Sequence, residues 1–236
     1  CVVAMLFGAF NGVLVAYFKI QPMIATLILY TAGRSIAAWV NNNELPIISE
    51  PSFKYFGEFI PGIPVPTPFF IAVACMIVIG LVLKFTNLRL YTQAVGINES
   101  SSRLNGLNPA LIKVLSFVIL GLCVAVVGLI KVSRVSSINY SVIAKDIEMD
   151  AILAVALGGN ALSGGKFNMT ASILGAYVIQ FLTTTLYKFN VQSDALPAYK
   201  AVVVIVLVVA SAPVVRDAVS SFFKKLKSNT NAKGVA

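Results

Sequence analysis

The sequence predicts an all-α fold, a polytopic bundle of about seven helices immersed in lipid, and three observations lead there. Hydrophobic residues make up 58% of the 236 positions and charged ones only 11%, against roughly 25% charged in an ordinary soluble domain. Seven apolar runs approach the ~20 residues that a helix needs to cross a bilayer. Lysine and arginine gather in the connections between those runs and in the last twenty or so positions. A soluble chain of this length would need more polar surface to cover its core, so the surplus apolar surface is expected to face lipid.

The first run, 1–18, begins at Cys1 with no initiating methionine and no charged stretch ahead of it, unlike a signal peptide. An N-terminally truncated bundle with upstream helices missing is therefore expected. Gly8 and Gly12 form a GxxxG pattern in this run, whose missing side chains allow two helix backbones to approach closely. The second run, 22–40, contains Arg34, and a charge at that depth requires a cavity or a partner. A proline-rich stretch, 41–67, separates it from the third run, 68–85. The fourth, 114–130, has Gly121 and Gly128 one heptad apart. The fifth, 148–163, mixes Asp150 with Gly158, Gly159 and Asn160 and reads as a short or broken helix. The sixth, 169–187, and the seventh, 201–215, complete a transmembrane domain over 1–215, followed by a basic cytoplasmic tail, 216–236.

The positive charges also orient the bundle. Lys84, Arg89, Arg103 and Lys113 place the connection 84–113 in the cytoplasm, and Arg216, Lys224, Lys225, Lys227 and Lys233 place the tail there. The loop 41–67 carries only Lys54 and suits the outside. Seven crossings then put 19–21 and 158–168 inside, and 131–149 and 188–199 outside. Lys131, Arg134 and Lys145 run against this pattern.

Several chemistries are excluded. The chain has no histidine, which removes a histidine triad, a zincin site and a histidine proton relay. Cys1, Cys75 and Cys123 lie far apart in apolar runs and are expected to be inert buried thiols. The net charge of +9 is distributed as topology and not as a nucleic-acid footprint. The stretch 158–166, GGNALSGGK, invites comparison with a phosphate loop, but Asn160 stands where the first glycine of GxxxxGK belongs, and Phe167 replaces the magnesium-binding Ser or Thr. A tight turn between helices is the better reading. No cofactor and no metal are implied.

Two groups of residues remain. Asn11, Arg34, Gln180 and the run Thr183, Thr184 and Thr185 are intramembrane polar groups suited either to a path for a hydroxylated solute or to interhelical hydrogen bonds. The connection 91–108, YTQAVGINESSSRLNGLN, is polar and long enough for a short surface helix, capped by Ser100, Ser101 or Ser102 and ended by Gly106. Such a helix is either a connector or a docking element for a cytoplasmic partner.

The blocks QPMIATLILYTAGRSIA at 21–37, AVGINESSSRLNGLNP at 94–109 and MDAILAVALGGNALSGGKFN at 149–168 resemble, in order and spacing, the permease subunits of ATP-binding cassette importers for simple sugars. The wording, with KAVVV at 200–204, is most similar to the galactofuranose type; ribose and xylose permeases share the outline, and branched-chain amino acid permeases belong to the wider group. The resemblance implies a subunit that performs no catalysis of its own and works with a second permease, an external sugar-binding protein and a cytoplasmic ATPase. It implies ATPase contact through Gly96, Asn98, Glu99, Arg103 and Gly106 in one cytoplasmic turn and through Gly158, Gly159, Gly164 and Gly165 in the other. A branched-chain amino acid permease and an ion-coupled secondary transporter are the competing functions; the latter would usually show more intramembrane ionisable groups.

Overall fold

The structure, a computed structural model, describes residues 1–48, 50–59, 64–140, 142–161, 164–165, 167–189, 191–192 and 195–211. The described residues are helical with no strand and only two isolated β-bridges. Four helices are long and apolar enough to cross a membrane: Pro22–Val40, Thr67–Phe85, Pro109–Val135 and Met169–Lys188. The expected tail, 216–236, lies outside the described residues, as does 212–215 of the seventh run.

The chain divides into two compact units, Cys1–Lys145 with Ser163–Lys166, and Asp146–Leu162 with Phe167–Ala236. The first contains α1 (Val2–Ala16), α2 (Pro22–Val40), the single turn α3 (Pro51–Lys54), α4 (Thr67–Phe85), α5 (Leu88–Ile97), α6 (Glu99–Leu104) and α7 (Pro109–Val135). Its main contact is the antiparallel crossing of α1 on α7. A methyl group on Gly121 would lie 2.5 Å from Ala4 O, one on Gly12 would lie 2.8 Å from Val114 Cα, and one on Gly8 would collide with Phe117 O. The GxxxG pattern is thus used as read from the sequence: hydrogen in place of a side chain lets the two backbones touch. Gly128 has open space around it and takes no part.

Several boundaries differ from expectation, each for a local reason. α7 begins at Pro109 and not near 114, because Asn108 caps it by accepting from Leu111 N at 3.3 Å and proline suits the first turn. At its other end α7 continues through Lys131 and Arg134 to Val135, where Ser136 turns left-handed at φ 56. Beyond it the chain pairs with the segment after α2: Ile48 N donates to Ser136 O at 2.9 Å, Ile138 N to Pro46 O at 3.2 Å, and Ser133 Oγ to Phe53 O at 2.6 Å. Segments 46–57 and 133–138 therefore share one end of the unit. The cysteines are unpaired, but they are not buried as expected: Cys1 is exposed, and Cys75 and Cys123 are half-buried.

The second unit is a hairpin of α8 (Ile147–Leu157) and α9 (Met169–Lys188), joined by α10 (Leu196–Ser211). The fifth apolar run yields an 11-residue helix that stops at Leu157, shorter than the expected 148–163. At 1.5 Å per residue it spans about 17 Å, well short of a bilayer core. Its α9 contact again relies on glycine, since a methyl on Gly175 would collide with Ala154 O and one on Gly158 would lie 2.6 Å from Ala171 O. Ala154 and Ile179 are buried there, flanked by Leu153, Leu157 and Leu182. α10 starts at Leu196, earlier than 201, with Pro197 in its first turn, where a missing N–H costs nothing.

Candidate functional site

The polar connection between α4 and α7 is two helices with a break at Asn98. Asn98 adopts an extended backbone, φ −154 and ψ 105, and its Oδ1 accepts from Ser101 N at 2.9 Å. The cap of α6 is therefore Asn98 and not one of the serines expected from the sequence; Ser102 Oγ instead donates back to Asn98 O at 2.8 Å. Gly106 ends the helix as expected. Its φ of 80 is open to glycine at no steric cost, and the turn closes with Gly106 N to Arg103 O and Leu107 N to Ser102 O, both at 3.1 Å. Glu99 accepts from Lys113 Nζ at 2.6 Å, and that hydrogen bond holds its carboxyl below the usual carboxylate range. Leu104, the last residue of α6, is 90% exposed.

Gly96, at the end of α5, packs on the second glycine turn. A methyl there would lie 2.8 Å from Gly165 N, and one on Gly164 would lie 2.9 Å from Gly96 O. Gly164 and Gly165 have φ of 97 and 108. This backbone contact was not legible in the sequence, because nothing in two glycine runs some 68 positions apart signals that they meet. Gly158 and Gly159 lie at the end of α8 in the second unit. Asn160 closes that turn: its Nδ2 donates to Ser172 Oγ at 2.8 Å and to Asn168 O at 3.3 Å, and its Oδ1 accepts from Asn168 N at 2.6 Å. Asn168 in turn caps α9 through Ala171 N at 3.3 Å. The residue that breaks the phosphate-loop pattern is thus a turn lock.

Of the intramembrane polar candidates in the first unit, Asn11 is 8% exposed and its Oδ1 has no hydrogen-bond partner among the described residues. It lies in a cleft of about 630 Å³ between α1 and α2, with Thr26, Tyr30 and Gly33 on the α2 wall. Arg34 is engaged internally. Its guanidinium donates to Tyr140 O and, at 3.3 Å, to Ile143 O, and lies 4.6 Å from the centre of the Tyr30 ring. Tyr30, over which Arg34 lies, borders the same cleft as Asn11.

In the second unit, Thr183, Thr184 and Thr185 donate to the carbonyls of Ile179, Gln180 and Phe181 at 2.8, 2.9 and 2.9 Å, so their hydroxyl protons are used within α9. Gln180 and Thr184 are exposed, and Thr183 is half-buried. A further pair escaped the sequence reading: Lys200 Nζ of α10 meets Asp150 Oδ2 of α8 at 2.7 Å. Opposite charges near the starts of two apolar runs were the available signal.

Apolar helices of crossing length, joined by capped polar turns, define an integral membrane protein, placed in the cytoplasmic membrane. Residues 1–212 match the family described as "Branched-chain amino acid transport system / permease component", and the chain belongs to it. It is similar to the fructose import permease protein of Bifidobacterium longum (36% identical, 99% of this chain and 67% of that one). The galactofuranose transporter permease protein of Escherichia coli is 38% identical over 86% of this chain and 60% of its own length. The ribose import permease protein of the same species is 34% identical over 85% and 63%. The chain therefore spans about two thirds or less of the length of these relatives. No solved structure matches.

Proposed function

We propose that the chain is the membrane-spanning permease part of an ATP-driven importer for a simple sugar. One observation carries this reading: relatives similar over 85–99% of this chain are each named for a sugar, fructose, galactofuranose or ribose. Branched-chain amino acids, which the family's description names, are the second reading. An ion-coupled carrier has less support, since Arg34 and the pair Asp150–Lys200 are satisfied internally.

In this reading all seven apolar runs contribute to the membrane domain over 1–215, with 216–236 as a cytoplasmic tail. α1 lies antiparallel along the first half of α7, whereas α8 is a half-length segment. The turn holding Gly96, Asn98, Glu99, Arg103 and Gly106 docks the cytoplasmic ATPase, with exposed Leu104 as an apolar contact; Gly158, Gly159, Gly164 and Gly165 contribute from the other turn. Asn11 offers its free oxygen to a sugar hydroxyl. Gln180, Thr183 and Thr184 present acceptor lone pairs for the same purpose, and Arg34 acts by fixing Tyr30. A second permease, alike or different, completes the path, and an external sugar-binding protein delivers the solute. Coupling then requires that the ATPase bind one permease conformation more tightly than the other.

The test is reconstitution of the full-length permease with its ATPase and binding protein in vesicles. ATP-dependent uptake of a labelled simple sugar, lowered by Asn11→Leu and by Glu99→Lys or Gly106→Pro without loss of membrane insertion, is the expected result. Uptake of leucine or isoleucine with no sugar uptake overturns the substrate class. Wild-type rates in both turn variants overturn the docking assignment.

A further inference from the structure

Where α1 turns into α2, the first unit has a second hollow, of about 780 Å³, lined by the α1–α2 joint, α6 and the first turns of α7. Lys19, Arg103, Lys113 and Glu99 all border it, three cations against one carboxylate. Lys113 is committed to Glu99 at 2.6 Å, whereas the side chains of Lys19 and Arg103 form no salt bridge among the described residues. Lys19 and Arg103 share Glu99 with Lys113 only through longer-range attraction, so three cations against one carboxylate leave a surplus of two positive charges at the opening. Lys19 is fixed there by a left-handed backbone at φ 55, with Ile20 N bonded back to Leu14 O at 3.3 Å.

Gln21 and Ser100 add two uncharged polar groups, and the remaining wall is apolar. Val15 of α1 and Phe117 of α7 face the hollow from helices packed against each other, and Leu104 borders it from α6. The lining therefore passes from a cationic rim to an oily wall within one cavity, at the level where the apolar helices give way to polar connections.

We propose that this hollow binds the phosphate headgroup of an anionic membrane phospholipid, with Lys19 and Arg103 on the phosphate and an acyl chain along Val15 and Phe117. The shared chemistry is a phosphate oxyanion between two cations, which a free phosphate also supplies; the apolar wall is what favours a lipid. An acidic segment of a partner protein would match the charge but not the wall. Basic pockets between membrane helices at the cytoplasmic surface suit such headgroups, and each cation near an anionic surface contributes about a fivefold gain in binding. The inference goes beyond sugar transport and holds whichever solute is carried.

Native mass spectrometry of the full-length protein, titrated with phosphatidylglycerol and with phosphatidylcholine, tests it. The wild type should retain phosphatidylglycerol preferentially, Lys19→Gln should weaken that about fivefold, and Lys19→Gln with Arg103→Gln about 25-fold. Lys84→Gln, a neutralised cation of the same connection outside the hollow, should leave it unchanged. Lys19 is exposed on a turn, so the single variant serves if the double one does not fold. Equal phosphatidylglycerol binding by wild type and Lys19→Gln overturns the site, and so does an equal loss in Lys84→Gln. Complete displacement by millimolar inorganic phosphate reassigns the hollow to a free anion. Unchanged lipid binding with reduced ATPase co-elution reassigns it to a protein contact.

Discussion

Arg34 shows how a charge is accommodated in an apolar helix without performing chemistry. Its guanidinium spends its donors on Tyr140 O and Ile143 O and its face on the Tyr30 ring, a use of the planar fork that lysine cannot reproduce. Hydrogen bonds from a charged donor contribute about 1.5–3 kcal/mol each. Arg34→Met leaves both carbonyls without this donor, so a loss of about 2–4 kcal/mol is expected, with Arg34→Lys intermediate because a single ammonium reaches fewer acceptors. Thermal unfolding in detergent should rank wild type above lysine above methionine, and a methionine variant as stable as wild type would remove the stapling role. Asn11 is the opposite case, a buried oxygen left without a donor. The sequence marked both residues as unusual but could not separate them, since the carbonyls that Arg34 bonds lie more than a hundred positions away and nothing in the α2 segment names them.

At the scale of the element, the α1–α7 crossing makes a sharper claim. Gly121 and Gly128 are equivalent in sequence, one heptad apart in one helix, yet only the first has a backbone against it. Gly121→Ala must push α1 and α7 apart and should cost about 1–3 kcal/mol. Gly128→Ala meets open space and should be neutral or stabilising by up to about 1 kcal/mol, the helix propensity gain over glycine. Melting temperatures of the two variants, compared in one detergent, decide it; equal shifts would mean that the crossing does not depend on glycine. This pair also marks the limit of what sequence makes legible. Spacing marked Gly8 with Gly12, and Gly121 with Gly128, for close packing and Gly106 as a helix stop, because those signals are local; it could not tell that Gly128 stands in open space. The early end of α8 was less visible, since it depends on Asn160 bonding across the turn to Asn168 and Ser172. The meeting of Gly96 with Gly164 and Gly165, and the pairing of Asp150 with Lys200, are tertiary facts with no local periodicity behind them.

At the scale of the molecule, the question that geometry and charge answer together is which end of the first unit faces the cytoplasm. Segments 46–57 and 133–138 meet at one end; the α1–α2 joint, α6 and the start of α7 meet at the other. α1 and α7 are antiparallel, so this grouping agrees with the parity expected from seven crossings, in which 19–21 and 84–113 share a side. The charge rule then assigns that side to the cytoplasm through Lys84, Arg89, Arg103 and Lys113. Lys131 and Arg134 fall at the opposite end, but both belong to α7 itself, where long basic side chains reach the interface from within a helix. Lys113 and Lys84 lie within α7 and α4 in the same way, so Arg89 and Arg103 of the short helices α5 and α6 carry the assignment, against Lys145 on the opposite side. With the three native cysteines replaced by serine, Glu44→Cys should react with a membrane-impermeant maleimide on intact cells, whereas Ser100→Cys should react only after the membrane is opened. Labelling of Ser100→Cys in intact cells, with Glu44→Cys protected, would invert the orientation. It would also move the ATPase-docking turn and the cationic hollow to the outer surface, so this one pair of reagents bears on the inner-face placement that both proposals share.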